Sequence, residues 1–353
     1  MSHFRLLRDP ERYVAHDWDL LKDDALRRHW LESFRSHFEV MLQHAAAQYG
    51  RKAGKSIAAA RGEFNEAINR LSQAPGSLPG GKLNVLELCR LRDGTLRRHG
   101  LTDPFKHVKE RENASAAAIY PRVVRKLHGM KGQDKWLHLV KCVFAGNIFD
   151  LGSTATMHLA SQPTDFLAAV ADGRPRPWLV DDFDRLAADL PPVPPAKWAK
   201  AVVFVDNAGS DFVLGVMPLA RELALAGTRI VLAANELPSL NDITADEVVA
   251  VVEQLCALDE DLGTLIRAGM FEVVSSGNDS PLIDLSNVSD ELNDAASDAE
   301  LVLLVGMGRG VESNFEAEFT VDNLILALLK SNTVAQRVGG QVFDCICKYR
   351  PVG

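Results

Sequence analysis

Residues 200–306 set the strongest constraint on how this chain can fold. Short β-branched runs, AVVFV (201–205), TRIVLAAN (228–235), MFEVVSS (270–276) and ELVLLVG (300–306), alternate there with the helical stretches VLGVMPLARELALAG, TADEVVAVVEQLCAL and NVSDELNDAASDA. A strand that is apolar at successive positions has two faces to bury, and strands joined through helices run parallel. The pattern predicts a mostly parallel sheet covered by helices on both faces. Pro218 is the misfit: it removes a helical hydrogen bond and predicts a helix that kinks or begins late.

The first half reads differently. In DALRRHWLESFRSHFEVML, Leu26, Trp30, Phe34, Phe38 and Leu42 recur every four residues, an apolar stripe on a charged surface. Further helical patterns follow in NEAINRLSQ, KLNVLELCRLRDGTLRRHG and PRVVRKLHGM, with PGSLPGG as a breaker. A Pro-rich passage at 172–198 separates the two kinds of pattern. It predicts a helical domain over 1–190 and an α/β domain over 191–353, the latter a three-layer α/β/α arrangement.

Composition narrows the function classes. No apolar run approaches the roughly 18 residues of a membrane helix, so no membrane role is expected. A formal net charge of −8 argues against a general nucleic-acid surface, while a local basic cleft for a small anion stays open. The start, MSHFRLLRDPERY, has no apolar signal region, and the five cysteines show no CxxC spacing, so a cytoplasmic chain with reduced thiols is expected. None of the ten histidines lies after His158. Chemistry in the second half therefore has to rest on oxygen ligands rather than on a Ser-His-Asp triad or a His-rich zinc site.

In an open α/β sheet, ligands bind beyond the carboxyl ends of the strands. Four strand-exit loops stand there: DNAGSD (206–211), NELPSLNDIT (235–244), SGNDS (276–280) and GMGRG (306–310). Asp206, Asn207 and Asp242 offer two carboxylates and an amide oxygen, a set that suits Mg²⁺ or Mn²⁺ better than zinc. The competing reading is that both acids only cap the helices after them. SGNDS, with Ser276, Gly277 and Asn278, and GMGRG, with Gly308 and Arg309, look like anion sites, with Arg309 clamping a phosphoryl group. The competing reading is that the glycines serve only a tight turn and Arg309 pairs with a surface acid. GMGRG also imitates half of a dinucleotide fingerprint, but reads G-x-G-x-G, which leaves a nucleotide-dependent oxidoreductase or transferase as a rival. Lys330 joins the same rim if NLILALLK is a further strand. Asp211 orients water or a substrate hydroxyl, or is a first-turn helix acid.

With these residues in view, the chain resembles the damage-control phosphatase family, formerly domain of unknown function 89. The likeness is to the branch found in plants and as the C-terminal domain of a pantothenate-kinase-like animal protein. It runs from about residue 85 to the end, through DPFKHVKERENA, AGNIFDLGS, FVDNAGSD, AANELPSLNDIT, SSGNDSPLIDLS, GMGRGVESN and VGGQVFDCICKY. The resemblance implies a divalent metal, Mn²⁺ or Mg²⁺ with Co²⁺ or Ni²⁺ as further candidates, on Asp206, Asn207 and Asp242. It implies metal-dependent hydrolysis of small phosphate monoesters, phosphopantetheine derivatives in this branch and sugar phosphates in others. It also draws Asn147 and Asp150 of GNIFDLG toward the pocket. The branch carries Glu where this chain has Val305, and loss of that carboxylate leaves a non-catalytic metal and phosphometabolite binder as the alternative to an enzyme.

Overall fold

The computed structural model describes residues 1–16, 18–148, 166–190 and 197–352. Seven strands form one sheet: β1 Val180–Asp181, β2 Lys200–Phe204, β3 Arg229–Ala234, β4 Phe271–Ser275, β5 Leu301–Val305, β6 Asp322–Leu328 and β7 Cys345–Arg350. Their order is β1-β7-β6-β5-β2-β3-β4, and every neighbouring pair is parallel except β6 with β7. The mostly parallel α/β sheet with helices on both faces matches the sequence expectation, and NLILALLK does supply a further strand.

The layers follow from strand alternation. Ala201, Val203 and Val205 point into one core cluster, whereas Val202 and Phe204 point into the other. Helices α4 (Lys106–His128) and α5 (Gly132–Ile148) pack in the first cluster beside the helices that follow β2 and β3. The second is covered by residues 4–16 and 18–20 and by α1 (Asp24–Tyr49), α2 (Gly54–Gln73) and α3 (Val85–Arg98). Each cluster therefore draws on chain from both sides of the Pro-rich passage. Phe4 meets Phe204 edge to face with centroids 5.6 Å apart, which seats the N-terminal segment directly on β2.

Helix α1 begins where Asp23 accepts hydrogen bonds from the Ala25 and Leu26 N–H groups. Its stripe buries Phe34, Phe38 and Leu42, while Leu26 and Trp30 stay partly exposed. Phe38 stacks on Phe64 of α2 at 4.0 Å. After β2 the chain makes a π-helical turn, Asp211–Val216, and the α-helix starts only at Met217. Pro218 thus falls at the junction of the π-turn and the α-helix, where the ladder already changes register and the missing N–H is accommodated. Among the described residues no helix is long and apolar enough to cross a membrane.

One topological detail positions the site. From β2 the chain steps outward to β3 and β4, then returns to the other side of β2 as β5. The loops after β2 and β5 diverge at this reversal and open a crevice at the carboxyl ends of the strands.

Candidate functional site

The loops after β2 and β3 are stitched together by their backbones. The Ile243 N–H donates to the Asp206 carbonyl at 3.0 Å and the Ala208 N–H to the Asn241 carbonyl at 2.9 Å, so Asn207 and Asp242 form a bridge pair. Asp206, Asn207 and Asp242 consequently share one small space. Helix capping does not account for the acids: Thr244 and Glu247 form the capping box of the helix Ala245–Cys256. Ser210 holds the N-cap position of the π-turn, without a side-chain bond.

Arg309 locks the two carboxylates from behind. Its Nη1 donates to Asp206 Oδ1, and its Nη2 donates to Asp242 Oδ2 at 3.0 Å and to Asn235 Oδ1 at 3.1 Å. Asn235 completes the lock by donating to Asp242 Oδ2 and to the Ser280 carbonyl, both at 3.1 Å. Burial opposes the Arg309 charge, but the adjacent Asp242 and Asp206 outweigh it and hold the guanidinium charged. Gly306 makes this approach possible. Its φ is +92°, and a Cβ there would lie 1.9 Å from Asp206 Oδ2.

A second set of bonds orients Asn207. Its Nδ2 donates to Asp206 Oδ2 and to Asp211 Oδ2, each at 3.1 Å, and its N–H donates to Asp211 Oδ2 at 3.2 Å. Asn147 of α5 donates to the same Asp211 oxygen at 2.7 Å. Because carboxylates only accept, the amide nitrogen must face them, and Asn207 Oδ1 makes no hydrogen bond among the described residues. Two carboxylates plus an available amide oxygen fit a hard divalent cation. Among the described residues no group of three His, Cys, Asp or Glu side chains could hold a metal, so a cation here would need the amide as its third protein donor.

The assembly opens onto a cavity of about 510 Å³. Asp206, Asn207, Asp242, Gly308 and Lys330 line its sheet side. His29, Trp30, Phe34 and His37 of α1 line the opposite wall, and the His29 ring lies 3.1 Å from Thr333 Oγ1 at the rim. A cavity of about 570 Å³ beside Arg12 and Arg337 contains none of the residues expected from sequence.

Several expected residues sit elsewhere. Arg309 is fully buried behind the carboxylates and does not line the cavity, so in this arrangement it positions acids rather than clamping a phosphoryl group. Asp211 is equally buried and holds Asn207. Asn147 reaches the site only through Asp211, and Asp150 lies outside the described residues. Ser276, Gly277 and Asn278 are absent from the lining because their groups close their own loop. The Gly277 N–H donates to Ser275 Oγ, the Asn278 N–H to Ser276 Oγ, and Asn278 Oδ1 accepts from the Asp284 N–H. Val305 is fully buried in the core cluster beneath α5 and does not border the cavity.

Sequence reasoning missed four contributors. Asn235 repeats the pattern of an Asn directly after a buried strand, which could have revealed it. Asn113 of α4 accepts the Gly209 N–H at 2.7 Å, and Arg92 of α3 lines the cavity; neither carries a local signal. Glu312, just past the glycine turn, borders both cavities, and burial pushes its carboxyl up to about 7.

Comparison with known proteins identifies the family. Residues 31–346 match the damage-control phosphatase ARMT1-like domain. A damage-control phosphatase of Arabidopsis thaliana is 44% identical over 277 residues, covering 77% of this chain and 74% of the plant protein. The Mus musculus 4'-phosphopantetheine phosphatase is 30% identical over 98% of this chain, which spans 48% of the mouse protein. Pantothenate kinase 2 of Arabidopsis thaliana is 36% identical over 99% of this chain, which spans 42% of that protein. A solved Pyrococcus horikoshii protein of the former unknown-function family 89 superposes with a TM-score of 0.63 at 16% identity, over 90% of this chain and 96% of that one, and shows the shared fold. The chain belongs to the damage-control phosphatase family with the ARMT1-like domain.

Proposed function

We propose that this protein is a metal-dependent phosphatase that hydrolyses small phosphate monoesters, with phosphopantetheine or a related damaged metabolite as the first candidate and sugar phosphates as the second. The observation that carries the reading is Asn207, whose nitrogen is held by Asp206 and Asp211 so that its oxygen joins two carboxylates at the cavity floor. Family membership and the 4'-phosphopantetheine phosphatase relative support the substrate class.

Asp206, Asn207 and Asp242 would hold the cation, Mn²⁺ or Mg²⁺ first and Co²⁺ or Ni²⁺ next. Bound there, a divalent ion supplies Lewis-acid stabilisation of a phosphoryl oxygen. The residues of the chain do the rest. Arg309 holds both carboxylates in place, Asp211 fixes the Asn207 rotamer, and Lys330 brings a cation to the same cavity lining. Asp206 is held by Arg309 and Asn207, which lowers its nucleophilicity and favours attack by water over a covalent intermediate. The alcohol end of the ester lies against α1, where Trp30 and Phe34 offer apolar surface and Trp30 Nε1 has no acceptor among the described residues. Five cysteines, all free, fit a reducing compartment such as the cytoplasm.

Phosphate release from a panel of phosphate esters with each of the four metals tests the proposal, with Asp206→Ala as the control. Release in the wild type well above that control is expected. Release no greater than the control across the panel would leave a binding protein instead.

A further inference from the structure

We propose that Arg92 is the guanidinium that binds the substrate phosphoryl group, a role that rests on the phosphatase reading and adds a helical residue to it. Arg92 belongs to α3, in the half of the chain that carries no part of the metal set. Its side chain is nearly fully buried, yet it lines the same cavity as Asp206, Asn207 and Asp242.

The bonds of Arg92 are one-sided. Nε donates to Asp93 Oδ1 at 2.7 Å, and Nη2 donates to Asp93 Oδ2 at 2.9 Å and to Ser239 Oγ at 3.2 Å. Ser239 Oγ in turn donates to Asp93 Oδ2 at 2.6 Å, and the Phe34 ring lies 5.5 Å from the guanidinium carbon. Nη1 makes no hydrogen bond among the described residues, and it is not among the buried nitrogens cut off from every partner. One edge of the fork is thus clamped while the other is presented to the cavity. Arg309 is the contrast, with Nη1 and Nη2 both spent on protein oxygens.

A purely structural role explains this poorly. A buried ion pair loses several kcal/mol of hydration per ion, and an apolar pair of similar volume would join α3 to the loop at Ser239 as well. What the pair provides is a planar guanidinium fixed by Asp93, Ser239 and Phe34, with donors left over for a tetrahedral oxyanion. Burial opposes the Arg92 charge; Asp93 chiefly, and Asp242 among others, keep it protonated, which places it within electrostatic reach of the metal set. Arg92 and Lys330 then supply cationic donors on the cavity lining, and Arg309 supplies the lock behind it.

Inorganic phosphate is the probe. Its binding is measured by calorimetry with and without Mn²⁺ for the wild type, for Arg92→Lys, which keeps a charge for Asp93, and for the double variant Arg92→Gln/Asp93→Asn, which leaves no carboxylate unpaired. Thermal melting identifies the folded variants. Phosphate affinity about ten- to a hundredfold weaker in the folded variants is expected, with KM for a phosphate ester rising more than kcat falls. Unchanged phosphate affinity in either folded variant overturns the role of Arg92, as does a wild type that does not bind phosphate. A wild type that binds phosphate through Arg92 but releases none from any ester supports the inference while removing the hydrolase reading.

Discussion

The two walls of the cavity are built on opposite principles. On the sheet side, Asp206, Asn207 and Asp242 sit on loops pinned by backbone bonds and by Arg309, and their donors and acceptors are largely spent on one another. On the helical side, Trp30, Phe34 and His37 lie along successive turns of α1 and, with His29, present a mixed apolar and polar surface. The first wall is rigid because any displacement breaks several charge-assisted bonds at once; the second is shaped mainly by packing. On the proposed reading, the sheet side would hold the cation, while α1 would meet the alcohol part of the ester.

The largest effect should come from attacking the rigid wall. Replacing Asp206 or Asp242 by Ala removes a carboxylate of the proposed cation site and strands the Arg309 charge, and a loss in kcat/KM of about a thousandfold or more is expected. Mn²⁺ affinity measured on the same variants should fall with it. Gly306→Ala tests the geometry without touching a polar group. Its Cβ must displace the Asp206 carboxylate and adopt a strained positive φ, so about a hundredfold loss of activity and about 2–4 kcal/mol of stability are expected in kinetics and chemical unfolding. Near-normal activity in Gly306→Ala would show that the close fit at Asp206 is dispensable.

A smaller effect lies where the walls meet. Glu312 Oε2 is buried with no partner among the described residues, and burial raises the carboxyl from its ordinary 4.5 to about 7. Since the folded state holds this proton more tightly, its contribution is complete below pH 4.5 and drains away as pH rises to about 7. Glu312→Gln keeps the shape and removes the titration. Chemical unfolding between pH 5 and 8 should show the wild type losing about 1–3 kcal/mol relative to the variant. Parallel pH profiles for the two proteins would refute the buried-carboxyl account.

Legibility followed the same division. β2 to β5 were readable because a parallel strand buried on both faces is a continuous apolar run, and their exit loops were readable because acids directly after such a run are unusual. β1 was hidden by being two residues long, and β7 by the charged Lys348 and Arg350 within CICKYR. Glycine and serine content made SGNDS look like a phosphate cradle, although the Gly277 and Asn278 N–H groups are spent on neighbouring serine hydroxyls. Arg309 was placed at the site but assigned the outward-facing task, because nothing in GMGRG says that a side chain turns back onto two acids from other loops. The helical wall was illegible: the α1 stripe reads as core, and only tertiary packing turns Trp30 and Phe34 toward a cavity.

The division of labour is tested most directly by kcat/KM for a compact and an extended phosphate monoester, p-nitrophenyl phosphate and 4'-phosphopantetheine, in the wild type, Asp206→Asn and Trp30→Ala. The Asp206 substitution should depress both rates by the same factor, leaving their ratio within about twofold, while Trp30→Ala should lower the extended ester about tenfold and spare the compact one. Equal loss on both esters in Trp30→Ala, or undiminished rates in Asp206→Asn, would contradict it.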